Sequence, residues 1–224
     1  MSEAAPPQRI DGSVISDERL QVAIAFSCAV MLVIASVTIP VDRDKQFAAY
    51  VALNFLLCFI FPMALTRALG WQWSYVGLRI GCLRRGLMWM VIALVAMLPA
   101  LILCARMPQF QAYYPFHTPA KYSILAFIKF SIGMTVYMFG WEFLFRGFML
   151  FSLKRHIGAW AIAVQALPFW LAHIGKPHVE FLSALPGGVI SGFIAWHCNS
   201  FLPMFVIHSA IHLLLNLFVI LAGS

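Results

Sequence analysis

Charge is what this sequence has least of. Only 10% of its 224 residues are Asp, Glu, Lys or Arg, against 62% hydrophobic. A water-soluble globule of that composition would lack the polar surface to cover itself. The apolar runs show no strand-like alternation, which argues against a barrel. The five cysteines (Cys28, Cys58, Cys82, Cys104, Cys198) stand singly, without the spacing of a disulfide framework or a zinc site, and read as small buried hydrophobes. Every aspartate (Asp11, Asp17, Asp42, Asp44) lies outside the apolar runs, and neither His-Glu-x-x-His nor Gly-x-Ser-x-Gly occurs. Paired-aspartate, metalloprotease-helix and serine-elbow chemistries therefore fit poorly. The leader before the first run is acidic, unlike a cleaved signal peptide, so that run is expected to stay as a span. The net charge of +7 resides mainly in loops and helix ends, where it suits lipid headgroups, and nucleic acid is not an expected partner.

What is present is a series of apolar runs long enough to cross a bilayer as helix, which takes roughly 20 residues. The expected fold is an all-α integral membrane protein, a polytopic helical bundle of about seven transmembrane helices over 20–39, 48–69, 86–105, 124–153, 159–174, 180–197 and 200–222. The fifth run should be kinked by Pro168, and Pro186-Gly187-Gly188 should bend the sixth or let it pack closely. Between the second and third runs, Trp71, Trp73 and Tyr75 are followed by Arg79, Arg84 and Arg85, a candidate interfacial helix or a plain loop. Residues 108–121 form an aromatic loop that either covers the bundle or merely connects it. The chain divides into a polar tail (1–19), N-terminal membrane helices (20–123) and a core (124–222). Basic residues favour an inside amino terminus, and the expected location is a multi-pass position in a bacterial-type plasma membrane.

One carboxylate, Glu142, lies deep within an apolar run. At ~1.5 Å per residue, counted from the side carrying Lys154, Glu142 and His212 both fall ~18 Å deep and His173 ~22 Å. Arg146 and His208 share a level one turn nearer that side, and Asn216 lies one turn farther. Glu142 and Arg146 are i,i+4 neighbours, as are His208, His212 and Asn216 in a stripe. Ionisable groups from three helices at a common depth imply a polar pocket with a functional role. The blander readings are a structural ion pair for Glu142 and Arg146 and interhelical hydrogen bonds for the histidines. His117, His156, His178 and His197 fall in loops or at span ends. Glu180 pairs with Lys176 at the rim and is the reserve carboxylate.

Such a pocket suits peptide hydrolysis. Glu142 and His173 could share a water as base and positioning group, His212 and Asn216 could donate to the carbonyl oxygen, and Arg146 could hold Glu142. No cofactor or metal is expected. Zinc stays open as an alternative, because His208 and His212 have ligand spacing and His173 could join them. A proton-coupled transporter is a further alternative, since buried Glu and His also relay protons.

Glu142-x-x-x-Arg146, Phe169-x-x-x-His173 and His212-x-x-x-Asn216, in this order, resemble the three motifs of the CPBP (Abi) family, which includes the type II CAAX prenyl endopeptidases. The resemblance covers about 124–222 and implies a glutamate-dependent, metal-independent intramembrane endopeptidase whose Glu-His pair activates water and whose His-Asn pair forms the oxyanion site. Its substrate would be a membrane-associated peptide or protein, lipidated or carrying a C-terminal sorting helix. Trp141 stands where the family usually has the first of two glutamates. Either Glu142 serves as base in a variant site, or the chain is a silent relative acting as a membrane peptide-binding or immunity protein.

Overall fold

The computed structural model describes residues 17–223, so most of the polar tail lies outside the described residues. Eight α-helices make up the fold: α1 (Glu18–Thr38), α2 (Phe47–Ala68), α3 (Leu83–Ala105), α4 (Pro108–Tyr113), α5 (Ile124–Ile157), α6 (Trp160–Leu171), α7 (His178–Cys198) and α8 (Leu202–Gly223). Six of these, all but α4 and α6, are long and apolar enough to cross a membrane. The all-α polytopic membrane bundle read from composition is therefore the observed architecture. The fifth expected span is the exception. With 12 residues, α6 rises ~18 Å, short of a bilayer core.

Local chemistry sets the helix ends. Asp17 caps α1, its Oδ1 accepting from the Arg19 and Leu20 amides at 2.9 and 3.4 Å, and Ser123 caps α5. Gly158, with φ of +54°, ends α5 and lets the chain turn back into α6. Asn199, left-handed at φ +56°, ends α7. Two π-helical stretches interrupt the long helices, Leu56–Ile60 in α2 and Phe143–Met149 in α5, and they pack together. Such wide turns shift side chains out of α register and recur at functional sites.

The Pro186-Gly187-Gly188 stretch serves close packing. A Cβ on Gly188 would lie 3.0 Å from Phe169 and 3.2 Å from Ala166, and one on Gly192 would lie 2.6 Å from Gln165 Nε2. α7 thus presses against α6, and Gln165 Nε2 donates to the Gly188 carbonyl at 2.9 Å. Bare helix surface is what allows this approach in lipid.

The segment between α2 and α3 differs from an interfacial helix. It contains one 3-10 turn, Trp73–Val76, and Trp71 and Tyr75 are buried in the core. Trp71 Nε1 donates to Gln21 at 2.9 Å, and the Cys82 amide donates to the Cys198 carbonyl at 2.9 Å. Trp71 faces inward, where α1 offers it a buried polar partner, and Tyr75 packs beside it, whereas Trp73 stays exposed.

At the opposite end, residues 106–123 cover the bundle. Phe110 and Tyr114 are buried with Leu101, Leu215 and Val219. The segment is also tied to the α1–α2 loop: Asp44 accepts from the Thr118 hydroxyl at 2.6 Å and amide at 2.8 Å, and Arg43 donates to the Tyr113 hydroxyl at 2.5 Å. The Thr118 hydroxyl, then its amide and His117, hold the Asp44 carboxyl below its ordinary value of 3.8. A carboxylate lowered on folding stabilises above its unfolded pKa and loses that contribution as pH falls through the folded value. Acidification below 3.8 should therefore loosen residues 106–123, seen as lower amide-exchange protection factors there, and Asp44→Ala should remove that pH dependence.

Candidate active site

Glu142 is the last α-helical residue of α5 before the π-helical stretch. Across that junction Arg146 turns back, its Nη1 donating to Glu142 Oε1 at 3.1 Å. His208 of α8 approaches the same oxygen, with Nδ1 2.6 Å away. A carboxylate oxygen only accepts, so Nδ1 of His208 carries the proton. The side chains of Glu142 and Arg146 are both 0% exposed, so this is an ion pair with no bulk solvent around it. One oxygen, Oε2, has no partner among the described residues, nor do Arg146 Nε and Nη2.

Phe169 is the hub of this region. The Arg146 guanidinium lies 3.8 Å from its ring centre, His173 4.5 Å and His208 6.3 Å. Trp141 is buried beside it at 6.4 Å, stacked on Tyr137 at 5.5 Å and edge-on to Phe145 at 5.0 Å. The indole therefore occupies the space next to Phe169 and contributes apolar packing.

His173 follows the end of α6, whose last turn contains Pro168. Its Nδ1 is 2.7 Å from the Phe169 carbonyl oxygen, which can only accept. The proton is thereby placed on Nδ1, and Nε2 keeps its lone pair. His173 is thus a neutral imidazole held in the tautomer suited to taking a proton.

His212 and Asn216 sit one turn apart on α8, both buried. Asn216 Nδ2 donates to the His212 carbonyl at 2.7 Å and lies 3.3 Å from each ring nitrogen, so it packs on the imidazole without a directed bond to either. His212 lines a narrow crevice between α5 and α8 with Phe130, Ser131, Met134, Thr135, Ser209 and Leu213. Tyr114 meets the His212 ring edge-on at 6.1 Å. The Tyr114 hydroxyl donates to Glu180, at 2.7 and 2.9 Å from its two oxygens, and Lys176 Nζ bonds the same carboxylate at 2.8 Å. His208 and Lys176 both lie within electrostatic reach of His173 and His212, so the three histidines belong to one region.

The sequence-derived residues thus fall into linked clusters: Glu142, Arg146 and His208; Phe169, His173 and Trp141; His212 and Asn216; and Glu180 with Lys176. The depth count placed Glu142 level with His212, whereas its partner on α8 is His208, one turn away. The π-helical stretch Phe143–Met149 lies between Glu142 and the end of α5 from which the depth was counted, so the even rise assumed in that count does not hold there. Tyr114 is the residue that sequence reasoning missed, and its only signal was the aromatic character of its loop. Among the described residues no group of three or more His, Cys, Asp and Glu is placed to hold a metal. His208 is committed to Glu142 and is not paired with His212.

Residues 123–214 match the family model described as Type II CAAX prenyl endopeptidase Rce1-like, which bears out the resemblance drawn from the motifs. The match includes Glu142, Arg146, Phe169, His173 and His212, and ends two residues before Asn216. No curated protein and no solved structure matches the chain significantly. At family level the matched segment is similar to a CAAX-type intramembrane protease, and it lies in a chain with six helices long and apolar enough to cross a membrane.

Removing one partner of a buried pair leaves an uncompensated charge, at a cost of about 3–5 kcal/mol. Arg146→Met should destabilise by that order in denaturant unfolding of the micelle-solubilised protein. Adding Glu142→Gln should recover much of the loss, because the orphan charge is then gone.

Proposed function

We propose that the protein is an intramembrane endopeptidase that hydrolyses a membrane-associated peptide or protein with a glutamate-dependent, metal-independent mechanism. The core at 124–222 carries the chemistry, and the preceding helices enclose it. The observation that carries this reading is the tautomer of His173. With Nδ1 bound to a carbonyl, Nε2 is left as an acceptor for a proton from water.

The attacking water gives its proton to the Glu142–His173 side as its oxygen bonds to the scissile carbonyl carbon. Glu142 takes part through Oε2, the oxygen that Arg146 and His208 leave unengaged. The negative charge that develops on the carbonyl oxygen is met by His212 and Asn216. Collapse of the tetrahedral intermediate breaks the C–N bond, and the stored proton passes to the leaving amine. The crevice between α5 and α8 has His212 on its wall and room for about one water, so entry of a peptide from the side requires the two helices to part. A substrate held in the membrane by a lipid or a C-terminal helix suits such an entry, and a bacterial-type plasma membrane suits the basic-residue pattern.

A second reading rests on Trp141. Its indole packs beside Phe169, where a carboxylate would otherwise border His173, which favours a binding protein that holds a membrane peptide without cutting it. A survey of new peptide termini among membrane-associated proteins separates the two. Cells with the native protein should show termini missing from cells with an equal amount of His173→Ala; coincident profiles would support binding alone.

A further inference from the structure

At the end of the bundle where α5 finishes, three cations gather on aromatic rings. The Arg79 guanidinium lies 5.8 Å from the Phe151 ring centre, and Lys154 Nζ lies 5.3 Å from the same ring and 4.1 Å from Trp196. Arg155 stacks 4.6 Å over Tyr75. The shared Phe151 ring makes Arg79 and Lys154 neighbours, and each lies within electrostatic reach of Arg155. Burial, and then the Arg155 charge, hold Arg79 below the usual guanidinium value.

Among the described residues, none of the three has a carboxylate within 4.0 Å. Glu18 lies 3.8 Å from His156, the residue that follows Arg155. Arg79 is held rigidly. Its Nε donates to the Asn199 carbonyl at 2.7 Å and its Nη2 to the Asn199 side chain, while Nη1 has no acceptor among the described residues. Ser200 reinforces the clasp by donating to the Arg79 carbonyl. Cation–π contacts orient the charges without neutralising them. Like charges collected in this way, with donors left open, are matched by an oxyanion of high charge.

We propose that Arg79, Lys154 and Arg155 form a binding site for a phosphoryl group, supplied by the headgroup of an anionic phospholipid. The position fits that source, since the site lies at the end of a membrane-spanning helix, where basic residues meet headgroups. A bound headgroup would join α5, the segment between α2 and α3, and, through Trp196, α7. A soluble phosphate compound offers the same chemistry, and experiment distinguishes the two. This site is separate from the proposed hydrolytic pocket and does not depend on that reading.

The test is native mass spectrometry of the purified full chain in detergent with phosphatidylglycerol, with phosphatidylcholine, and with inorganic pyrophosphate as competitor. Two variants of equal charge loss are compared, Lys154→Gln/Arg155→Gln at the site and Arg84→Gln/Arg85→Gln at the exposed start of α3. Phosphatidylglycerol adducts should exceed phosphatidylcholine adducts, fall about tenfold in the site variant and change less than about twofold in the control. Millimolar pyrophosphate should leave the lipid adduct in place; its displacement would keep the site but overturn the lipid source. Equal loss in both variants, or no preference for phosphatidylglycerol, would overturn the site itself. Circular dichroism of both variants checks that the helices persist.

Discussion

The neutralisation of Glu142 is the constraint on which the core of this protein depends. A carboxylate far from bulk solvent is stable only with partners, and Glu142 has one from its own helix and one from another. Meeting both fixes the rotation of α5 against α8. Arg146, drawn back toward Glu142, then lies over the Phe169 ring and ties α5 to α6. His173 inherits its place from Phe169, to whose carbonyl it is bonded. Gly188 and Gly192 complete the arrangement by letting α7 press α6 into this position.

The two oxygens of Glu142 are unlike. Oε1 is committed to Arg146 and His208, whereas Oε2 has no protein partner. In the proposed mechanism the first holds the fold and the second serves the water. Trp141 serves as packing, stacked on Tyr137 and beside Phe169. The covering segment adds a second polar group on the His212 side, where Tyr114 links that histidine to Glu180 and Lys176.

Much of the fold was legible because composition in a membrane protein is a strong constraint. Long uncharged runs leave helices as the economical solution, and six of them are long enough to span. Residues 71–85 were harder to place. Aromatics mixed with arginines suit both a headgroup layer and a buried clasp, and only the Gln21 partner on a distant helix decides between them. The motif residues were legible from depth and helical spacing, but their pairing was not. The π-helical stretch around Arg146 carries no compositional mark, and the contact of Glu142 with His208, one turn from the level of His212, was not foreseen. Tyr114 was invisible as a site residue because it reaches His212 through a loop, where no period applies.

The central claim is that the hydrolytic pocket lies between Glu142, His173 and His212 and is reached through the crevice of α5 and α8. Photo-crosslinking tests this most directly, using a membrane-anchored peptide that carries the reactive group at the residue to be cut, with the attachment points mapped by peptide sequencing. Labels should fall on residues 130–142 of α5 and 208–216 of α8, and excess unlabelled peptide should abolish them. Labels confined to the lipid-facing surface of α3, or unchanged by competition, would contradict the claim.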